Sequence, residues 1–480
     1  MRRTTLVIFA LIFLSLTCFA ITFNPQTMMR VKDIKPGMKG YGLTVFKGTK
    51  IEKFDVEILG VLPKDNITGD IILARLSGGP ITQRNAKVIA GMSGSPVYIN
   101  GKLIGAVALT WRYSLEPLAG ITPIENMIAS ANKEVPIGGA SVSIKSSLLR
   151  SMGLKKLGNE DYITMVPIAI PLIASGFHPK ALGKISSLFE EKGFVFMQAP
   201  GGGKMNVKTP LAPGAAFGCQ LMSGDMQMTA IGTLTYIDEN GEWLAFGHSM
   251  MDMGDAQMPA VTAYIHDIIP SIMFSTKLGS PAETVGSLTR DGYFSISGKK
   301  GIVPKMLPIS IVVANGDKKQ KFNVEVVKHP SLTNSLIGTA VSNAVFLSCP
   351  DPVDVMTKVS LDLQLEGGRR LSIKDIFYSP TGAGIDPSFF IEDILFLLSD
   401  NIYQAVYPEK VSVQITVEKG KKLARIDKLA VDKNIVKPGE NFSLTVYLKS
   451  YGTDEQITLP ISLTVPYQAP EGRATIYVGG

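Results

Sequence analysis

The residues best suited to covalent chemistry in this chain lie in Gly91-Met92-Ser93-Gly94-Ser95-Pro96. A serine between glycines sits in a tight turn, where small neighbours let a carbonyl carbon reach the hydroxyl. Glycine also permits backbone angles that aim N–H groups at a developing oxyanion. The chemistry would be acyl transfer, with Ser93 as nucleophile and backbone N–H groups of the turn as oxyanion donors. On the residues alone, a glycine-rich turn before a hairpin is the competing reading.

A serine nucleophile needs a base within hydrogen-bond reach. The chain has four histidines, His178, His248, His266 and His329. His248 lies in Ala245-Phe246-Gly247-His248-Ser249, at the end of an apolar strand between small residues, and is the first choice. His266, next to Asp267, is the second. His178 and His329 each precede proline in loop-like segments, which fits surface roles. For the acid, Asp70 opens the apolar run Asp70-Ile71-Ile72-Leu73-Ala74-Arg75-Leu76, with Asp291 and Asp252 as rivals. A turn residue before a buried strand explains Asp70 equally well.

The elements that must position these residues are strands. Phe54, Val56, Ile58 and Gly60 alternate with Asp55, Glu57 and Leu59. Val97 to Val107 reads as strand, Asn-Gly turn and strand. Thr122-Pro123 reads as the cap and first turn of a short helix over 122–128. Ser143 to Met152 and His178 to Lys192 have helical spacing, and Asp386 opens a helix to about Ile402. Met226 to Tyr236, Val261 to His266, Leu307 to Val313 and Phe322 to Val327 read as strands. Val411–Val417, Ala424–Val431, Asn441–Ser450 and Thr458–Val465 have the spacing of a sandwich.

The predicted fold class is therefore mainly β, ending in an immunoglobulin-like β-sandwich. The expected divisions are a signal peptide over 1–20 and a peptidase-like region over 28–350. That region divides into a serine half-barrel over 28–130, a mixed connector over 131–205 and a histidine half-barrel over 206–350. A connector with a helix follows over 351–409, then the sandwich over 410–480.

Composition bounds the rest. The 480 residues are 45% hydrophobic and 19% charged, with 47 glycines and 29 prolines, which suits turns and short strands. A net charge of +7 without a dense Lys/Arg run interleaved with aromatics argues against nucleic acid. Arg2-Arg3 followed by the apolar run Thr5–Ala20 reads as an export signal, cleaved near Ala20 or retained as an anchor. The expected location is exported: periplasmic, envelope or secreted. Of three cysteines, Cys219 and Cys349 lie beyond the signal, either paired or as two buried thiols. No metal-ligand spacing and no cofactor motif is present, so none is expected.

At Asp33-Ile-Lys-Pro-Gly-Met-Lys-Gly-Tyr-Gly42, Gly91–Pro96, Ile121-Thr-Pro-Ile-Glu125 and Phe246-Gly-His248, the chain resembles the SpoIVB-type serine peptidases, family S55. The resemblance implies a trypsin-like double β-barrel and cleavage of a protein or peptide substrate. It implies Ser93 as nucleophile, with Gly91 and Ser93 as oxyanion donors, and His248 as base. In that family the histidine precedes the serine. Here Ser93 comes first, which implies half-barrels in swapped order. The family's acid falls just before the serine turn, where this chain has Leu76-Ser-Gly-Gly-Pro80 with no carboxylate; Asp70 is the substitute. The chain also has no PDZ segment ahead of the peptidase region, so a role in sporulation does not transfer. An exported Ser-His endopeptidase is the primary expectation. The alternative is a catalytically inactive envelope or surface-binding scaffold that keeps the fold.

Overall fold

The computed structural model describes residues 21–62, 69–111, 114–133, 142–151, 161–199, 205, 207–350, 353–381, 383–453 and 455–479. The proposed signal segment lies outside them. The chain divides into two compact units, one of residues 21–177, 183–307 and 324–333, the other of 178–182, 308–323 and 334–479.

The first unit begins with a closed antiparallel barrel. Its strands are β1 (Lys39–Val45), β2 (Ile51–Leu62), β3 (Ile71–Ser77), β4 (Pro96–Ile99), β5 (Lys102–Thr110) and β6 (Leu118–Pro123). They pair in the order β1-β2-β3-β6-β5-β4, and β4 returns to β1. The alternation expected in β2 is observed: Phe54, Val56, Ile58 and Gly60 are buried. Phe54, Val56 and Ile58 meet Ile72, Leu76, Met92, Val97 and Ile121 in one core, because period-2 alternation sends every second side chain inward. Helix α1 (Gly79–Gln83) follows β3, and α2 (Ile124–Ala131) follows β6.

Strand β7 (Val142–Lys145) and helix α3 (Ser146–Ser151) replace the single helix expected over 143–152. Val142 to Lys145 pair with β8 (Tyr162–Pro167), so cross-strand bonding overrides the helical spacing. Strand β8 then pairs with β5 at Leu109 and Thr110. Strand β9 (Ile170–Ser175), helix α4 (Pro179–Glu190) and β10 (Phe194–Gln198) follow. Residues 131–205, read as a connector, thus supply edge strands to both sheets, since β9 also pairs with β12.

The rest of the first unit carries β11 (Ala216–Gly224), β12 (Gln227–Ile237), β13 (Glu242–Ala245), β14 (Gly254–Ile269), β15 (Thr276–Asp291) and β16 (Ile296–Lys300). Their antiparallel pairings run β11-β12-β13-β16-β15-β14 and return to β11.

The second unit holds β17 (Leu307–Asn315), α5 (Thr333–Ser348), β19 (Val353–Leu365), β20 (Arg370–Thr381), α6 (Ile385–Ser399) and β21 (Pro408–Lys419). Strand β18 (Lys318–Val326) leads back to the first unit, where its end pairs with β11. Strand β21 pairs with β17 and β19. Only β22 (Ala424–Val431), β23 (Asn441–Ser450) and β24 (Gln456–Thr464) form the last sheet. The four strands expected to share one C-terminal sandwich are therefore divided between two sheets. Spacing counts strands but does not say which edges they bond to.

Candidate active site

The serine turn is fixed by backbone bonds on both sides. Met92 N–H donates to Ile89 O at 2.9 Å, Ser95 N–H to Met92 O at 2.9 Å, and Gly94 N–H to Val107 O at 2.8 Å. From β12, Thr233 N–H donates to Ser93 O at 2.8 Å and Thr235 Oγ1 to Gly94 O at 2.8 Å. Gly94 has φ +90°, and a Cβ there would lie 2.0 Å from Thr233 O and 2.4 Å from Phe246 N. Only glycine lets the turn approach β12 so closely. Among the described backbone bonds, the N–H groups of Gly91 and Ser93 donate to no carbonyl.

His248 stands on the loop after β13. Phe246 N–H donates to Thr233 O at 3.4 Å, so the same β12 residue touches the serine turn and the histidine loop. Phe246 adopts φ 69° and Gly247 φ 75°. Left-handed backbone at an aromatic residue is strained and is held only by tight surroundings. Thr122 Oγ1 supplies part of that hold, donating to Gly247 O at 2.6 Å. Thr122 was expected to cap a helix; α2 instead begins at Ile124 with Pro123 at the cap position and no side-chain cap, and the Thr122 hydroxyl faces the histidine loop.

Ser93 is 0% exposed and His248 2%. Among the described residues Ser93 Oγ and His248 Nε2 both lack hydrogen-bond partners, so they are not bonded to each other. Buried polar atoms in folded proteins are nearly always satisfied, and two orphans on segments tied to one strand call for an explanation. His248 Nδ1 lies 2.6 Å from Ser249 O. A carbonyl only accepts, so Nδ1 carries the proton and Nε2 keeps its lone pair. Burial lowers the His248 pKa to about 4, opposed by the Ser249 bond and the Asp252 charge. The ring is neutral at pH 7.

The carboxylates fall in different places. Asp70 and His248 line one small cavity with Thr122, Gly247 and Tyr293, but the Nδ1 partner of His248 is a backbone carbonyl. Asp252, at φ 58°, acts on His248 through its charge. Asp291 is fully buried and holds the loop beyond the histidine. It accepts from Met250 N at 2.7 Å, Met251 N at 2.7 Å and Met253 N at 3.2 Å. Burial raises its pKa to about 6, against the pull of those three bonds.

The other histidines are engaged elsewhere: His266 Nε2 with Ser280 Oγ at 2.9 Å, His329 Nδ1 with Ser331 Oγ at 3.0 Å, and His178 stacked on Phe346. Cys219 and Cys349 are buried and are not bonded to each other in a disulfide. Among the described residues no group of three or more His, Cys, Asp or Glu is set to hold a metal. No described helix is long and apolar enough to cross a membrane.

Beside His248 opens a cavity of about 360 Å³, lined by Val166–Ile170, Glu190–Val195, Ser249–Asp252 and Phe274. It was not anticipated from sequence. Neither was the threonine set Thr44, Thr122 and Thr233, although polar residues in otherwise apolar strands were a readable signal.

Residues 18–128 match the family model for SpoIVB peptidase S55. Over those residues the chain is similar to the S55 peptidase domain. The S55 match contains the barrel, the serine turn and Thr122, and ends before His248. No curated protein matches the chain, and no solved structure does.

Proposed function

We propose that the first unit is a serine peptidase in which Ser93 is the nucleophile and His248 the base. The observation that carries this reading is the pair of unpartnered buried atoms, Ser93 Oγ and His248 Nε2, on segments joined through Thr233. In the reaction Nε2 takes the Ser93 proton as Oγ attacks a peptide carbonyl, and Nδ1–H stays on the Ser249 carbonyl. The resulting imidazolium gains charge support from Asp252. The unengaged N–H groups of Gly91 and Ser93 receive the oxyanion. His248 then returns the proton to the leaving amine, and water completes hydrolysis. Asp70, beside the ring in the small cavity, is the remaining carboxylate for this site. The two circuits of paired strands are read as half-barrels of a trypsin-like peptidase in swapped order. A polypeptide entering along the cavity lined by Ser249–Asp252 is the proposed substrate. The protein is proposed to act outside the cytoplasm, on the strength of the N-terminal apolar run.

The test is labelling by a fluorophosphonate. Wild type should label and Ser93→Ala should not, since loss of a nucleophile costs several orders of magnitude. Equal labelling of both would exclude Ser93. One observation favours the scaffold reading: Ser93 is fully enclosed, and reaching it requires movement of its surroundings. Absence of labelling in wild type supports that alternative.

A further inference from the structure

Lys277, on β15, is a buried cation that the chemistry above does not use. It is 0% exposed, and among the described ion pairs none includes it. Buried lysines are ordinarily paired, because an isolated charge in the interior is costly. Its Nζ donates to Thr44 Oγ1 at 2.8 Å. Thr44 Oγ1 lies 3.5 Å from Thr233 Oγ1, which donates to Gly91 O at 3.0 Å. Ser95 Oγ also reaches Thr233 Oγ1 at 3.5 Å. The Lys277 main-chain N–H donates to Ala90 O at 3.1 Å. Its Cδ and Cβ lie 3.1 and 3.3 Å from where a Cβ on Gly91 would sit.

One residue thus controls both peptide groups that flank Gly91. A trans peptide holds its C=O and N–H on opposite sides. The bond to Ala90 O therefore sets where the Gly91 N–H points. The hydroxyl relay holds the next carbonyl, Gly91 O. An ammonium has no lone pair, so it can only donate to Thr44. That frees the Thr44 proton for Thr233, whose own proton goes to Gly91. A neutral amine can accept from Thr44 and release this direction.

We propose that Lys277 is a positioning residue of the Ser93 site: its main-chain N–H holds the Ala90–Gly91 peptide that carries the oxyanion donor, and its side chain, through Thr44 and Thr233, holds the Gly91 carbonyl and so the backbone angles at Gly91 that aim that donor. This rests on the reading of Ser93 as nucleophile. Among the described contacts, the groups beside Lys277 are Thr44 on β1, Gly91 in the turn and Ile268 across from it on β14. None is charged. The titratable residues next along β14, His266 and Asp267, are engaged by Ser280 and Arg84. Burial alone lowers the Lys277 pKa to about 7, so near neutrality the amine gains a lone pair and no longer fixes the direction of the relay.

The experiment is the rate of fluorophosphonate labelling of the full chain from pH 5 to 9, for wild type, Lys277→Met and Thr44→Val. Wild type should label progressively more slowly as pH rises through 7. Both variants should label about tenfold or more slowly at pH 6, less than the roughly 10²–10³ lost when an oxyanion donor is removed outright, and should lose the fall near pH 7. Thr44→Val keeps the lysine and decides the matter if Lys277→Met does not fold. Both variants labelling with the wild-type rate and pH profile, while Ser93→Ala is blank, overturns the role of Lys277 alone. An unlabelled wild type overturns the nucleophile reading and this one together.

Discussion

Replacing Lys277 with methionine should make the first unit more stable, and the gain should shrink as pH rises. The unfolded lysine titrates at 10.5 and the folded one at about 7. Between those values the unfolded chain binds more protons, so stability increases with pH through this group. The difference of about 3.5 units, at about 1.4 kcal/mol each, gives a burden of roughly 4–5 kcal/mol at pH 7. At pH 9 the burden is about 2 kcal/mol by the same relation. Wild type should therefore gain about 2 kcal/mol on Lys277→Met between pH 7 and pH 9. Methionine fills the space of the stem and carries no charge, and the ammonium donation that fixes the direction of the Thr44 hydroxyl is lost with it. Urea unfolding at the two pH values, followed by tryptophan fluorescence, measures it. Trp243 is fully buried in the same unit and reports its unfolding. Parallel pH profiles for the two proteins would refute the claim that Lys277 is buried with no counter-ion among the described residues.

His248 should stay neutral well below pH 6. Its C2–H resonance should move only as pH approaches 4, with the proton on Nδ1, because burial lowers its pKa to about 4. Since the folded value lies below the unfolded 6.5, the stability tied to this ring is lost as pH falls from 6.5 toward 4. An ordinary titration near 6.5 contradicts the enclosed ring. Asp291 should act in the opposite sense. Raised to about 6 from 3.8, it lowers stability as pH climbs from 4 to 6. Asp291→Asn should remove that dependence and turn an N–H₂ toward backbone donors of the Met250–Met253 loop. The cost is about 1–3 kcal/mol at neutral pH, measured by denaturant unfolding. Gly94→Ala should be far more damaging than Gly101→Ala. Both have positive φ, but a Cβ at Gly101 meets nothing within 4 Å, whereas one at Gly94 meets the Thr233 carbonyl. The second should cost about 1–2 kcal/mol and the first several times that, as melting temperatures will show.

Much of the site was legible along the chain. A serine between glycines before a hairpin, and a histidine at a strand end, were visible because residue type and local spacing carry them. The alternation in β2 named its buried face for the same reason. Thr122 shows the limit. Its place before Pro123 reads as a cap, yet its hydroxyl bonds to Gly247, 125 residues away. The 143–152 segment shows it again: helical spacing yielded to pairing with β8. Val411–Val417 was rightly read as a strand, but its neighbours are β17 and β19.

The sequence by itself determined the strand-rich class, the S55 likeness and the residue types at the serine turn and the histidine loop. These follow from period, glycine geometry and short motifs, which are properties of neighbours in the chain. Only the tertiary structure decided that Thr233 joins Ser93 to Phe246, that the Nδ1 partner of His248 is a carbonyl, and that Lys277 lies sealed beneath Gly91. Those contacts span up to 233 residues. They depend on which strands close on which, and on the exclusion of water that shifts the pKa of His248, Lys277 and Asp291.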